Sequence, residues 1–302
     1  MILVAGEALF DLVLHDTGDE LHGHPGGAAF NAARTIGRLE QPVAYLGRLS
    51  IDRFGRRLDA MLEADGVARG SVVETNDPTT LAIAEVDHEG VARYRFYERG
   101  TSASGLTTEA ALAALPGVVD ILHVGTLGLT LEPVATATEA VVERLAGDAL
   151  VALDPNIRPW VVEDEDAYRA RLDRVLARSH VLKVSEEDLA WLRPELGATE
   201  AVRSLLEGGP SVGLLTRGPH GALVVTRTAE VAVPAPRAKV VDTIGAGDAF
   251  GGGFLAWWSE RGLGRDDLDR IDVVVEATEF ACLVAARTCS TPGAEPPYRS
   301  EL

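Results

Sequence analysis

The stretch Val241-Asp242-Thr243-Ile244-Gly245-Ala246-Gly247-Asp248-Ala249-Phe250 decides the interpretation of this sequence. Its small residues Gly245, Ala246 and Gly247 precede an apolar run that predicts a buried helix. Small residues let the backbone N–H groups at a helix N-terminus approach an anion, and the helix dipole favours negative charge there. The stretch therefore predicts an anion-binding turn that leads into a helix.

Asp248 comes directly after these small residues, so its carboxylate is placed to take a proton from an attacking hydroxyl. Anion stabilisation, positioning and a base are what phosphoryl transfer requires. The same residues also fit a tight turn in which Asp248 caps the first helical turn. A dinucleotide-binding fingerprint is excluded because Phe250 stands where Gly or Ala is needed. A Walker phosphate-binding loop is excluded as well, because the sequence contains no Gly-x4-Gly-Lys-Ser/Thr.

Outside this stretch, apolar runs of strand length alternate with helical patterns. Strands are predicted at residues 2–13, 43–47, 121–124, 150–154, 181–184, 212–216 and 222–226, and helices at 30–39, 54–65, 133–146 and 166–177. This alternation predicts an α/β fold with a doubly wound, mostly parallel sheet and helices on both faces. Residues 80–97 read instead as a hairpin that turns at 87–90. We therefore expect a single domain over residues 1–302 with a small β lid near 12–25 and 80–100.

Composition limits the function. The 302 residues carry 28 basic and 46 acidic side chains, a formal net charge of −18. Such a chain repels nucleic-acid and membrane phosphates, so neither is expected as a partner. No apolar stretch reaches the length of a membrane span, and the two cysteines form neither a disulfide framework nor a CxxC pair. A cytoplasmic protein is expected.

Further motifs stand in a specific order: Gly26-Gly27-Ala28-Ala29-Phe30-Asn31, then residues 46–55, then Asp242–Asp248. Over almost its whole length the chain resembles the ribokinase/PfkB family of sugar kinases. The resemblance implies an ATP-dependent kinase with Asp248 as the catalytic base and an anion hole formed by Gly245, Ala246 and Gly247. It also implies that sugar hydroxyls are bound by Asp11, Gly26, Gly27 and Asn31. Asp11 fits physically, because a carboxylate at the end of an apolar strand is costly unless it has a polar partner.

Two segments are candidates for nucleotide binding. Residues 215–222 match the family's Thr-Lys/Arg-Gly-x-x-Gly turn, which implies nucleotide contacts from Thr216, Arg217, Gly218 and Gly221; an ordinary turn between strands explains the pattern equally well. Residues 183–188 occupy the place of the family's Asn-x-x-Glu motif in degenerate form. They imply nucleotide contacts from Lys183 and Ser185 and a water-mediated Mg²⁺ contact from Asp188. Helix capping by Ser185 is the alternative.

The same resemblance implies that the protein binds metal ions. Mg²⁺ is expected to be bound mainly by ATP oxygens and water. A monovalent cation, K⁺, would be bound by backbone carbonyls around Asp242 and Ile244 and in the loop 285–297. Homodimerisation through the β lid is a further expectation.

Residues 154–160 bear on the choice of substrate, because they resemble a segment of fructokinases and 2-keto-3-deoxygluconate kinases. The resemblance implies substrate contacts from Asn156 and Arg158. The lid contributes Tyr97 and Arg99. Glu98 stands where the second group has an arginine for its substrate's carboxylate, so the comparison favours a neutral sugar, with fructose first. The alternatives are 2-keto-3-deoxygluconate kinase, ribokinase, and a sugar-sensing protein without catalysis.

Overall fold

The structure is a computed structural model that describes residues 1–15, 21–86 and 92–302. Its strands are β1 Ile2–Ala5, β2 Leu9–His15, β3 Leu21–Gly26, β4 Val43–Ser50, β5 Val72–Thr75, β6 Leu81–Val86, β7 Ala92–Tyr97, β8 Ile121–Gly125, β9 Leu150–Asp154, β10 Val181–Ser185, β11 Val212–Thr216, β12 Ala222–Val225 and β13 Glu230–Val233. Its helices are α1 Ala28–Arg38, α2 Arg53–Ala64, α3 Thr108–Ala113, α4 Val134–Leu145, α5 Glu165–Leu176, α6 Glu186–Leu192, α7 Ala198–Leu206, α8 Ala246–Glu260 and α9 Ile271–Thr288.

The main sheet has the strand order β13-β12-β11-β10-β9-β8-β1-β4-β5. The strands from β11 to β5 pair in parallel, whereas β12 and β13 add an antiparallel edge. Because the central strands are parallel, the carboxyl ends of β1, β8, β9, β10 and β11 meet at one edge of the sheet. Ligands collect at that edge in open α/β sheets.

Alternation along β1 separates two apolar cores. Ile2 and Val4 pack in the core with residues of α1, α2, α8 and α9. Leu3 and Ala5 point the other way and pack with residues of α3 to α7. Helices therefore cover both faces of the sheet, which confirms the doubly wound architecture. Among the described residues no helix has the length and apolar character needed to cross a membrane.

A second sheet, which we call the lid sheet, has the order β3-β2-β6-β7. The prediction of one strand over residues 2–13 was wrong, because β1 lies in the main sheet and β2 in the lid sheet. The chain turns between them at Gly6, whose φ of +152° suits glycine, and the Tyr45 hydroxyl donates to the Gly6 carbonyl at 2.8 Å. The hairpin turn predicted at 87–90 lies outside the described residues.

Close packing of α1 on α8 brings two parts of the site together. A Cβ at Gly252 of α8 would lie 2.8 Å from Cβ of Thr35 on α1, so only glycine permits this approach. The contact lies one turn beyond Asn31 on α1 and one turn beyond Asp248 on α8. It therefore fixes the distance between the N-terminal ends of the two helices.

Candidate active site

The N-terminus of α8 begins at Gly245, which has a left-handed φ of +76° and no side chain to cap the helix. A Cβ there would lie 2.6 Å from Cβ of Ala294, so the turn requires glycine. Ala246 N–H donates to the Thr243 carbonyl at 3.2 Å. The N–H groups that follow in the first turn have no acceptor within the helix, so they are available to an anion.

Asp248 lies in this first turn and is held by the neighbouring helix. Asn31 Nδ2 of α1 donates to Asp248 Oδ2 at 2.8 Å, which leaves Oδ1 to accept a proton. Burial raises the pKa of Asp248, while the Asn31 hydrogen bond and the charges of Lys183 and Arg158 act in the opposite direction. A carboxylate with a raised pKa is better suited to general-base work near neutral pH.

The N-terminus of α1 is stabilised by Glu7, a residue that the sequence interpretation did not select. Gly27 precedes the helix with a φ of +106° and no side-chain cap. Glu7 Oε1 accepts the Ala28 N–H at 2.8 Å, and the Glu7 carbonyl accepts the Phe30 N–H at 3.3 Å. Glu7 is buried, and burial raises its pKa to about 7. Glu7 and Asp11 are the two charged residues in the largely apolar run 2–14, and a carboxylate in such a run was the signal that could have identified Glu7.

Asp11 reaches the same region from β2. A Cβ at Gly26 would overlap the Asp11 carboxylate, so glycine there leaves room for that group. Burial raises the pKa of Asp11 to about 6; Asp248 adds to this shift and Arg158 opposes it. Asp11 therefore lies within electrostatic range of both the candidate base and Arg158.

The charge of Arg158 acts on all three of these carboxyl groups, those of Glu7, Asp11 and Asp248. Its Nη1 donates to Asn156 Oδ1 at 2.7 Å and to the carbonyls of Asn156 and Ile157 at 3.2 Å each. Asn156 has a positive φ of +38°, an uncommon conformation for a residue other than glycine. Arg158, with Asn156 hydrogen-bonded to it, therefore lies near these carboxyl groups, and sugar binding by either residue stays a prediction.

Two predicted sugar contacts lie elsewhere. Register pairs Tyr97 with Leu81 and Leu81 with Phe10, so Tyr97 lies on the face of the lid sheet opposite to Asp11. Arg99 is 82% exposed and forms an ion pair with Glu163 at 2.6 Å. In contrast, Phe96 shares the Asp11 face through Ala82. The structure therefore does not bring Tyr97 and Arg99 together with Asp11, because strand register turns Tyr97 to the other face and Arg99 lies beyond the end of β7 in an exposed ion pair.

The predicted nucleotide residues Thr216, Arg217, Gly218 and Gly221 lie at the end of β11 and in the short turn to β12. Thr216 Oγ1 donates to the Val184 carbonyl at 3.3 Å, and Arg217 N–H donates to the Gly221 carbonyl at 2.8 Å. Gly218 and Gly221 have positive φ values of 52° and 83°. The turn lies at the ligand-binding edge of the sheet, beside β10.

Ser185 and Asp188 form a capping box at the start of α6. Asp188 Oδ2 accepts from the N–H and the hydroxyl of Ser185, at 2.8 and 2.7 Å, and Oδ1 accepts from Ile157 N–H at 2.7 Å. Asp188 is 4% exposed. Both carboxylate oxygens are thus occupied, and the described part of the chain contains no cluster of three or more His, Cys, Asp or Glu that could hold a metal. This arrangement fits the capping alternative better than a magnesium contact.

Asp242 joins two loops. Its Oδ1 accepts from Ile244 N–H at 3.0 Å and its Oδ2 from Gly293 N–H at 2.8 Å. Val241 N–H also donates to the Cys289 carbonyl at 2.8 Å. The segment around Asp242 and Ile244 therefore lies against the loop 289–293, as the predicted carbonyl site for a cation requires.

Lys183 lies beneath this site rather than on its surface, and it forms an ion pair with Asp154 at 2.7 Å. Asp154 is the second residue that the sequence interpretation did not assign a role. The complete arrangement has an anion-binding helix end, a carboxylate beside it, and carboxyl groups under a small sheet. Such an arrangement has the parts that a phosphotransferase acting on an alcohol needs.

Comparison with known proteins gives the family. Residues 1–301 match the pfkB family carbohydrate kinases, and the chain belongs to this family. It is 37% identical over 259 residues to a fructokinase of Rhizobium leguminosarum bv. trifolii, with 85% of this chain and 79% of that protein covered.

Solved structures of similar fold are also carbohydrate kinases. The ATP-bound fructokinase from Xylella fastidiosa superposes with a TM-score of 0.87 at 27% identity, covering 97% of this chain and 93% of that one. The fructokinase from Vibrio cholerae O395 with fructose, ADP and calcium ion has a TM-score of 0.84 at 26% identity, covering 97% and 94%. The chain is therefore an ATP-dependent carbohydrate kinase.

Proposed function

We propose that this kinase transfers the γ-phosphate of ATP to a primary hydroxyl of fructose, with Asp248 as the base. The hydrogen bond between Asn31 and Asp248 carries the proposal, because it joins the sugar-side helix α1 to the anion-binding end of α8. The hydroxyl proton passes to Oδ1 of Asp248, the oxygen that Asn31 leaves free. The N–H groups at the start of α8 stabilise the transferred phosphoryl group, and Asp11, Gly26 and Gly27 orient the sugar.

The charges around the sugar position support a neutral substrate. Asp11, Glu7 and Asp248 lie within electrostatic range of Arg158, and burial raises the pKa of each of these three carboxyl groups. A substrate carboxylate would add another negative charge to this group. Arg158 already directs Nη1 to its own loop. Fructose therefore fits better than 2-keto-3-deoxygluconate.

Several relatives carry the name fructokinase, and a solved neighbour holds fructose. This likeness supports the same substrate here. The test is an ADP-production assay with fructose, ribose, 2-keto-3-deoxygluconate and adenosine. We expect the highest kcat/KM with fructose. A higher value with another sugar would replace the substrate, and sugar binding without ADP formation would favour the sensing alternative.

The cations are part of the proposal. Mg²⁺ would be bound by ATP oxygens and water, since Asp188 is occupied as a helix cap. K⁺ would be bound by carbonyls near Asp242, Ile244 and the loop 289–293, whose proximity supports the site. When bound, the divalent ion would neutralise phosphate charge, and the chain's own residues would position the reacting groups.

Nucleotide contacts from Lys183, Thr216, Arg217, Gly218 and Gly221 are proposed on the basis of the family motif and their place at the carboxyl edge of the sheet. Homodimerisation through the lid sheet and a cytoplasmic location also stay predictions. Size-exclusion chromatography with light scattering tests the oligomeric state.

A further inference from the structure

A buried ion pair lies under the candidate active site. Lys183 Nζ of β10 lies 2.7 Å from Asp154 Oδ2 of the adjacent strand β9, with side chains only 8% and 5% exposed. Removing two charges from water carries a desolvation penalty that the pair's attraction often fails to offset, so two apolar residues could fill such a position without loss of stability. Lys183 is also one of only two lysines in the chain. The pair is therefore a poor candidate for a purely structural feature.

The ammonium faces the first turn of α8. A Cβ at Gly247 would lie 3.1 Å from Lys183 Nζ, so the charge lies directly against the helix start. The N-terminus of a helix carries a positive partial charge, and a cation there is unfavourable unless an anion is shared between them. The placement of Lys183 thus indicates an anion at this helix end.

Asp154 supplies only part of the negative charge that Lys183 needs at this helix end. Its Oδ2 accepts from Lys183, while Oδ1 is buried without a hydrogen-bond partner among the described residues. Burial lowers the pKa of Lys183, but the nearby charges of Asp154, Asp188 and Asp248 outweigh it, so the lysine stays protonated. His123 borders the pair, and burial beside Lys183 lowers its pKa to about 4. The imidazole is neutral at pH 7, and Lys183 remains the cation that faces Gly247.

We propose that Lys183 is a catalytic residue whose ammonium contacts the transferred phosphoryl group, and that Asp154 is the positioning residue that directs it there. The inference rests on the proposed function and deepens it. A bond forms between the sugar oxygen and the γ-phosphorus while the bond from that phosphorus to the β,γ-bridging oxygen breaks. The hydroxyl proton goes to Asp248, ADP leaves with the electron pair, and Lys183 keeps its proton throughout.

The test separates this role from a structural one with three variants: Lys183→Met, Asp154→Leu and the double variant that carries both. Each single change leaves one buried charge without its partner, so both are expected to lower the melting temperature. The double variant removes both charges and is expected to regain most of that loss. Sugar titration calorimetry gives the fraction of competent sites, and kcat is expressed per competent site.

We expect the double variant to lose kcat by about 100-fold or more, the size found when one charge-stabilising donor is removed from an active site. The KM for the sugar should stay within about threefold, since Lys183 does not contact the sugar. A double variant with wild-type kcat per competent site would overturn the inference. So would an equal loss through the sugar KM alone, because that result assigns the pair to shaping the sugar site.

A binding measurement keeps this inference distinct from the proposed function. ADP with tetrafluoroaluminate imitates the phosphoryl group in transfer, and the wild type should bind it more tightly than ADP alone. The double variant should lose that difference and keep its affinity for ADP. Retention of the difference would contradict the role of Lys183. An inactive wild type would instead contradict the proposed kinase function.

Discussion

Replacement of Asp248 by asparagine distinguishes a catalytic base from a helix cap. Asparagine has nearly the same shape, and its amide oxygen can accept the 2.8 Å hydrogen bond from Asn31. The geometry of α1 and α8 should therefore survive, together with sugar binding. Loss of a general base lowers the rate by about 100- to 10,000-fold, which is roughly 2.7 to 5.4 kcal/mol of transition-state stabilisation.

The same substitution should not reduce stability. Burial raises the pKa of Asp248, which means that the folded protein disfavours its ionised form at neutral pH. A group of this kind stabilises the fold only while it is protonated, and that contribution is lost as pH rises through its folded pKa. The neutral Asp248→Asn variant should thus unfold at an equal or higher denaturant concentration than the wild type.

The two interpretations predict opposite results. If Asp248 acted only as a first-turn helix cap, its removal would cost about 0.3 to 1 kcal/mol of stability and leave turnover intact. The assays are ADP production under saturating ATP and sugar, urea unfolding at pH 7, and sugar titration calorimetry. A variant that is less stable but fully active would refute the assignment of Asp248 as the base.

Three other residues, Gly245, Glu7 and Asp11, provide further tests of the site. Gly245→Ala should lower stability by about 2 kcal/mol and weaken ATP binding, because the residue needs a left-handed φ and its Cβ would meet Ala294; unchanged unfolding and ATP KM would contradict this. Glu7→Ala should lower the free energy of unfolding by about 1 to 3 kcal/mol and raise the sugar KM, because the Ala28 N–H loses its acceptor. Glu7→Gln, the matched control, should retain the wild-type stability and sugar KM. Equal effects of the two variants would exclude the capping role. Burial raises the pKa of Asp11 from 3.8 to about 6, so protonated Asp11 stabilises the folded state and this contribution is lost as pH rises through about 6. Sugar binding needs the ionised carboxylate instead, so it should weaken as pH falls below 6. Asp11→Asn should remove that pH dependence of the sugar KM, and a profile that keeps it would assign the titration to another group.

The fold could be predicted from the sequence where apolar runs were separated by polar segments. The strands 150–154 and 212–216 and the helices near α4 and α5 lie where the pattern placed them, within one residue. The break at Gly6 could not be recognised, because residues 2–14 form a nearly continuous apolar run. Only the pairing of β2 with β3 and β6 reveals that this run serves two sheets.

The site shows the same division. Asp248 and Asn31 lie 217 residues apart, and each was selected from a motif with a recognisable spacing, but their hydrogen bond is seen only in the folded structure. Tyr97 was misplaced because strand register decides which of two adjacent residues shares a face with Asp11, and the sequence motif alone does not give that register. Glu7 and Asp154 were missed because their roles depend on contacts with Ala28 and Lys183 that the spacing does not reveal.

Phosphorylation of fructose with ATP is the reaction proposed for this chain. The most direct measurement is phosphorus-31 NMR of the purified protein with fructose, ATP and Mg²⁺. We expect a phosphomonoester on a primary hydroxyl of fructose that appears in equal amount with ADP, and its absence in the Asp248→Asn sample. ADP that accumulates with inorganic phosphate and without a sugar phosphate would contradict the proposed reaction, as would unchanged ATP.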